Sequence, residues 1–243
     1  LKIILFDIDG TLISAGTAPR RAFERAFREI LGVSPVTAGV RTHGATDPQI
    51  QQDTAVATLG RSLTNDECTS LNVRYVELLY SEIEWEAEYK IMPGVASLLD
   101  YLARQERVAL GLQTGNLVEA VPAKLNRGGL SHYFASGGFG SDSFFRVDII
   151  RAAIDRTRAV YAVPSTYQPE VVVIGDAPQD MSAALEVGAR PIGVTTGIFT
   201  ADELAAAGPC TVLRDLSNLH EVISLIGGIG LVDSGGPVCV KRD

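Results

Sequence analysis

The chain has 243 residues, 46% of them hydrophobic, and 21 Lys plus Arg stand against 29 Asp plus Glu for a formal net charge of −8. A chain of this length buries about 70% of its unfolded surface, so it needs no disulfide or structural metal and is not disordered. The acidic balance excludes a basic nucleic-acid or anionic-membrane surface, and no apolar run reaches the roughly 18 residues of a membrane helix.

In chain order, residues 2–6 (KIILF) form a short apolar run ending at a polar turn, the pattern of a strand buried in a parallel sheet. This N-terminal segment lacks the charged start and long apolar stretch of a secretory leader. Cys68, Cys210 and Cys239 are far apart with no metal-ligand spacing, so a cytoplasmic protein is expected. From residue 16 to residue 89 the signals are helical. Phe23, Phe27, Ile30 and Leu31 share one face, ended by Gly32. Asp47-Pro48 reads as an N-cap followed by proline at the first helical position, in a helix running to Gly60. Thr64-x-x-Glu67 has the form of a capping box ahead of Leu71, Tyr75, Leu78 and Leu79.

Beyond this stretch, residues 107–113, 170–174 and 191–195 read as further strands. Helical patterns at 95–104, 147–160 and 181–187 accompany them, the last ending at Gly188. The alternation predicts an α/β fold: a Rossmann-like doubly wound parallel sheet with an inserted all-α helical bundle. The expected organisation is a core at 1–15 and 90–226, a helical cap at 16–89, and a Gly-rich tail at 227–243 without a readable role.

Chemistry gathers at the strand ends. In Asp7-Ile8-Asp9-Gly10-Thr11-Leu12, side-chain alternation puts Asp7 and Asp9 on one side if the extended geometry continues. Two carboxylates ~4 Å apart repel by about 4 kcal/mol at an effective dielectric near 20, so a proton or a cation must offset them. Gly175-Asp176-Ala177-Pro178-Gln179-Asp180 follows another strand, and its acids suit a hard divalent cation such as Mg²⁺. Between the two motifs, Thr114-Gly115-Asn116 supplies a hydroxyl and free backbone N–H groups for an anion.

These motifs resemble the haloacid dehalogenase superfamily of phosphatases, in the phosphoglycolate-phosphatase-like branch with a helical cap between the first and second motifs. The resemblance covers residues 1–226. It implies Asp7 as nucleophile and Asp9 as general acid/base. Thr114 and Gly115, with Thr11 and Asn116, would hold the phosphoryl group. Mg²⁺ would be bound by Asp7, the Asp9 carbonyl and Asp176, with Asp180 supporting through water. The family places a Lys before the helix preceding the Gly-Asp strand, and none occurs between Lys124 and Lys241. Arg146 is the best-placed cation for that role, with Arg151 as the fallback.

The implied partner is a small-molecule phosphate monoester, with phosphoglycolate as the leading candidate, acted on by a monomer or weak homodimer. Arg41 and Thr46, in the densest polar stretch of the cap, are expected to face the leaving group, and hinges are expected at 14–17 and 91–94. A sugar phosphomutase would share every core residue and differ in the cap. A non-catalytic binding module would be expected to have lost Asp7 or Asp9, and both are present.

Overall fold

The computed structural model describes residues 1–227. The chain enters through β1 (Lys2–Phe6) and a two-residue β2 (Ile13–Ser14), then runs through α1 (Ala18–Leu31), α2 (Asp47–Leu59) and α3 (Asn65–Glu84). It returns through β3 (Lys90–Ile91) to α4 (Val95–Ala103), β4 (Val108–Gln113), α5 (Val121–Asn126), β5 (Gly137–Gly138) and α6 (Arg146–Val160). The remaining elements are β6 (Glu170–Gly175), α7 (Pro178–Glu186), β7 (Arg190–Val194), α8 (Ala201–Ala206), β8 (Thr211–Leu213) and α9 (Leu219–Ile226).

The main sheet has six strands in the order β5-β4-β1-β6-β7-β8, and every neighbouring pair is parallel. The chain steps outward from β1 through β4 to β5, then crosses to the other side of β1 for β6, β7 and β8. The strand order thus reverses around β1, and ligands bind at the carboxyl ends beside such a switch. Alternation along β1 fills both faces. Ile3 and Leu5 pack with Ile150, Ala153 and Ala183, while Ile4 and Phe6 join the apolar layer that includes Leu98 and Phe27.

The edge strands were not legible as a pattern. β5 is only Gly137-Gly138, and a Cβ on Gly138 would lie 1.9 Å from the Ile149 carbonyl, so glycine there lets α6 pack directly on the strand. The start of α2 also differs from expectation. Thr46, not Asp47, is the N-cap: its hydroxyl accepts from the Gln49 N–H at 3.3 Å, and Asp47 is the first helical residue. α7 begins at Pro178, ahead of the expected start, because Asp180 accepts the Ala177 N–H at 3.1 Å and closes the first turn. The capping box of α3 is present, with Thr64 N–H donating to Glu67 at 2.8 Å and Glu67 N–H to Thr64 at 3.3 Å.

β2 and β3 form a separate two-stranded antiparallel sheet, Ile13 opposite Ile91, so the inserted helices begin and end side by side. Of the expected tail, residues 228–243 lie outside the described residues. Among the described residues, no helix is long and apolar enough to cross a membrane.

Candidate active site

Sheet register assembles the site. Phe6 lies opposite both Leu112 and Ile174, so the residues that follow at the three strand ends, Asp7, Gln113 and Gly175, arrive side by side. One residue further on are Thr114 and Asp176. Asp7, Asp176 and Asp180 are buried, and each offers an oxygen within 4.8 Å of the others. Gly10 is required here. Its φ is +82°, and a Cβ would fall 2.3 Å from Asp176 Oδ2. Gly197 crowds the same oxygen from the loop after β7, since its Cβ would fall 1.7 Å away. Thr11 donates its hydroxyl to Asp176 Oδ1 at 3.2 Å, so it serves the acidic cluster directly.

Arg146, at the start of α6, is the cation facing these acids. It is 8% exposed, with one terminal nitrogen 3.7 Å from Asp7 Oδ1 and Nε 3.4 Å from Asp180 Oδ1. The Nε has no hydrogen-bond partner among the described residues, which leaves an enclosed guanidinium donor uncommitted. Arg151, the fallback, instead pairs with Asp148 at 3.2 Å and Glu186 at 3.7 Å on exposed surface, away from the acids. Gln113 was missed by sequence reasoning. Fully buried, it donates to Asp180 Oδ1 at 3.1 Å and accepts from Arg146 at 3.4 Å, locking the two together. A polar residue closing an otherwise apolar strand was the only signal.

Burial, reinforced by Asp180, pushes the Asp7 carboxyl from an ordinary 3.8 up to about 7, with Arg146 opposing the rise. Burial and the neighbouring Asp7 push Asp176 to about 8. One guanidinium therefore does not neutralise the cluster, and an all-carboxylate pocket of this kind fits a hard divalent cation. Asp7 and Asp176 are the acids able to hold it. Both Asp180 oxygens are already engaged, one by Gln113 and one by the Ala177 N–H, so Asp180 supports the site.

The raised values carry a sign. The folded state binds more protons than the unfolded chain between pH ~4 and pH ~8, so stability without metal is present at low pH and lost as pH rises through 7 and 8. The melting temperature of chelated protein is expected to fall from pH 5 to pH 8.5, and Mg²⁺ to raise it most at the alkaline end. Thermal scans with and without Mg²⁺ test this, and a Mg²⁺ shift independent of pH would contradict it.

Asp9 turns away from the acidic cluster. Its Oδ2 accepts from the Asn116 side chain at 2.8 Å and from Lys124 Nζ at 2.5 Å. The same Asn116 amide donates to Thr114 Oγ1 at 2.7 Å, so the turn after β4 holds Asp9 in place. Lys124 went unread in the sequence. The only hint was a Lys between Ala123 and Leu125, on the buried side of a short helix.

The inserted helices touch this site. The Asp47 N–H donates to the Gly115 carbonyl at 2.7 Å, and Asp47 Oδ2 accepts from the Leu117 N–H at 2.9 Å. A Cβ on Gly115 would lie 2.5 Å from the Ala45 carbonyl, so glycine permits this close approach. Gly44 lies against Gln179, after Asp176. Thr46 is buried beside Gly115 with its hydroxyl engaged as the α2 cap, while Arg41 is exposed in the preceding loop.

Comparison with known proteins agrees with this geometry. Residues 4–194 match the haloacid dehalogenase-like hydrolase family model. A phosphoglycolate phosphatase from Vibrio vulnificus is 26% identical over 227 residues, spanning 92% of this chain and 96% of the relative. A hydrolase from Pseudomonas syringae superimposes with a TM-score of 0.69 at 22% identity, over 93% of this chain and 99% of that one. A protein from Bacteroides vulgatus described as a beta-phosphoglucomutase shares the fold with a TM-score of 0.66 at 17% identity, over 93% and 88% of the two chains. With the sheet, the strand-end acids and a match over most of its length, the chain belongs to the haloacid dehalogenase-like hydrolase family, as a phosphatase.

Proposed function

We propose that this phosphatase hydrolyses a small-molecule phosphate monoester, phosphoglycolate or a similarly small carboxylated ester, through an aspartyl-phosphate on Asp7, with Mg²⁺ as its metal. The observation that carries the reading is one strand end with two unlike acids: Asp7 enclosed and faced by Arg146, Asp9 side-chain 43% exposed and turned toward Asn116. That asymmetry suits two roles. Bound at Asp7 and Asp176, Mg²⁺ would supply positive charge that keeps Asp7 ionised and draws electron density from the phosphoryl group.

Asp7 attacks phosphorus while Thr114, the Gly115 backbone and the uncommitted Arg146 donor stabilise charge on the non-bridging oxygens. Asp9 gives its proton to the departing ester oxygen. It then takes a proton from the water that bonds to phosphorus as the bond to Asp7 breaks. Residues 16–89 act as a cap over the strand ends. Contact between Asp47 and the 115–117 loop supports a shielded site in which leaving-group departure excludes bulk water. Arg41 would swing in to meet a leaving-group carboxylate. Thr46 would contribute through the α2 turn it caps.

The test separates the two acids. Asp9→Asn is expected to lower kcat/KM for alkyl phosphates such as phosphoglycolate by about 10²–10⁴-fold. The loss should be far smaller for nitrophenyl phosphate, whose leaving group needs no proton. Equal losses on both esters would remove Asp9 from the acid role.

A further inference from the structure

Lys124 is a buried ammonium outside every motif that marks this family in the sequence, and the steps above do not use it. It is 3% exposed, and a buried cation is retained at a cost unless it is paired. Its partners are Asp9 Oδ2, at 2.5 Å, and the Asn116 side-chain oxygen. Asn116 donates to the same Asp9 oxygen at 2.8 Å. Two donors thus converge on Oδ2, and no described group donates to Oδ1. Lys124 is itself anchored. Its carbonyl accepts from the hydroxyl of Tyr89, the residue just before β3, at 2.7 Å. Arg127 stacks over the Tyr89 ring at 4.6 Å and donates to the Glu86 carbonyl at 2.7 Å, tying α5 to the segment after α3.

We infer that Lys124 is the positioning residue for Asp9: with Asn116 it pins Oδ2 and leaves Oδ1 as the oxygen that exchanges protons. This rests on the reading of Asp9 as general acid/base. A carboxyl group on a half-exposed side chain rotates freely about its terminal torsion, and only one orientation serves the ester. An oxygen that accepts from both an ammonium and an amide has no room for a proton. The acid proton therefore resides on Oδ1. The Oδ1–H bond breaks as the phosphorus–ester oxygen bond breaks, and that proton goes to the ester oxygen. In the second half, Oδ1 accepts a proton from water as the water oxygen bonds to phosphorus and the Asp7 oxygen leaves.

The test is Lys124→Met, which keeps the stem and removes the donors, measured as kcat/KM because that constant covers leaving-group departure. The expected loss is about 10–100-fold for an alkyl phosphate and under about threefold for nitrophenyl phosphate, with KM little changed. Combining it with Asp9→Asn should add almost nothing to the loss from Asp9→Asn alone, since both act through one carboxyl group. Equal losses on the two esters, or full additivity in the double variant, would overturn the assignment. No loss would mean that Asn116 alone holds Asp9. Lys124→Gln, which retains a neutral donor, provides the same comparison if the Met variant does not fold. If Asp9→Asn itself shows no leaving-group dependence, the general-acid reading fails. If it does and Lys124→Met does not, only the role of Lys124 fails.

Discussion

On the covalent route proposed above, Asp7→Asn is expected to lower turnover by at least about 10⁴-fold, because the amide cannot act as the attacking carboxylate. The same change should stabilise the metal-free protein at alkaline pH. Asp7 is enclosed beside Asp180 and Asp176, and its carboxyl is pushed up to about 7 because ionisation there is unfavourable. A neutral isostere removes that repulsion. The melting temperature of chelated protein at pH 8.5 should rise, by about 2–4 °C for each kcal/mol recovered, while the increase produced by Mg²⁺ should shrink. Steady-state assays and thermal scans on one preparation read both effects. Retained turnover in a folded Asp7→Asn protein would sink the covalent route. An inactive variant less stable than the parent would show that Asp7 has a structural role absent from this account.

Arg146→Ala should be the next most damaging change, in the opposite thermodynamic direction. The guanidinium faces Asp7 at 3.7 Å and Asp180 at 3.4 Å from an almost fully enclosed position. Removing it leaves those acids without their nearby cation, and breaking a buried pair in this way costs about 3–5 kcal/mol of stability. Activity should fall by about 10²–10³-fold, the loss typical of removing one fixed donor from a developing charge. Arg146→Lys should recover only part of either quantity, since a single ammonium cannot reach both carboxylates and still aim a donor at phosphate. Comparing kcat with chemical stability across the three proteins separates the effects. Full activity in Arg146→Ala would assign phosphate neutralisation to another cation.

The strands that carry chemistry, and the helices that follow them, are readable from local pattern alone. The runs 3–6 and 171–174 are apolar without interruption because the sheet is covered on both faces, and such runs end where the backbone meets the ligand crevice. The placement of Asp7, Asp9, Asp176 and Asp180 after strand ends is legible for that reason, and that of Arg146 at the start of the helix before β6 is legible from the helical pattern. Short edge strands were not legible, since β5 is two glycines whose pairing is set by α6 rather than by their own propensity. Thr46 and Asp47 could each have capped α2; Thr46 caps it, while the Asp47 carboxylate accepts from the Leu117 N–H. Which acid meets which cation is set by packing between distant parts of the chain. Asp7 and Asp9 are two residues apart, yet register turns one toward Arg146 and the other toward Lys124, which lies 115 residues along the chain from Asp9. Local pattern reports burial and turn chemistry. Partnership between distant charges depends on strand order and helix packing, which no local window of sequence contains.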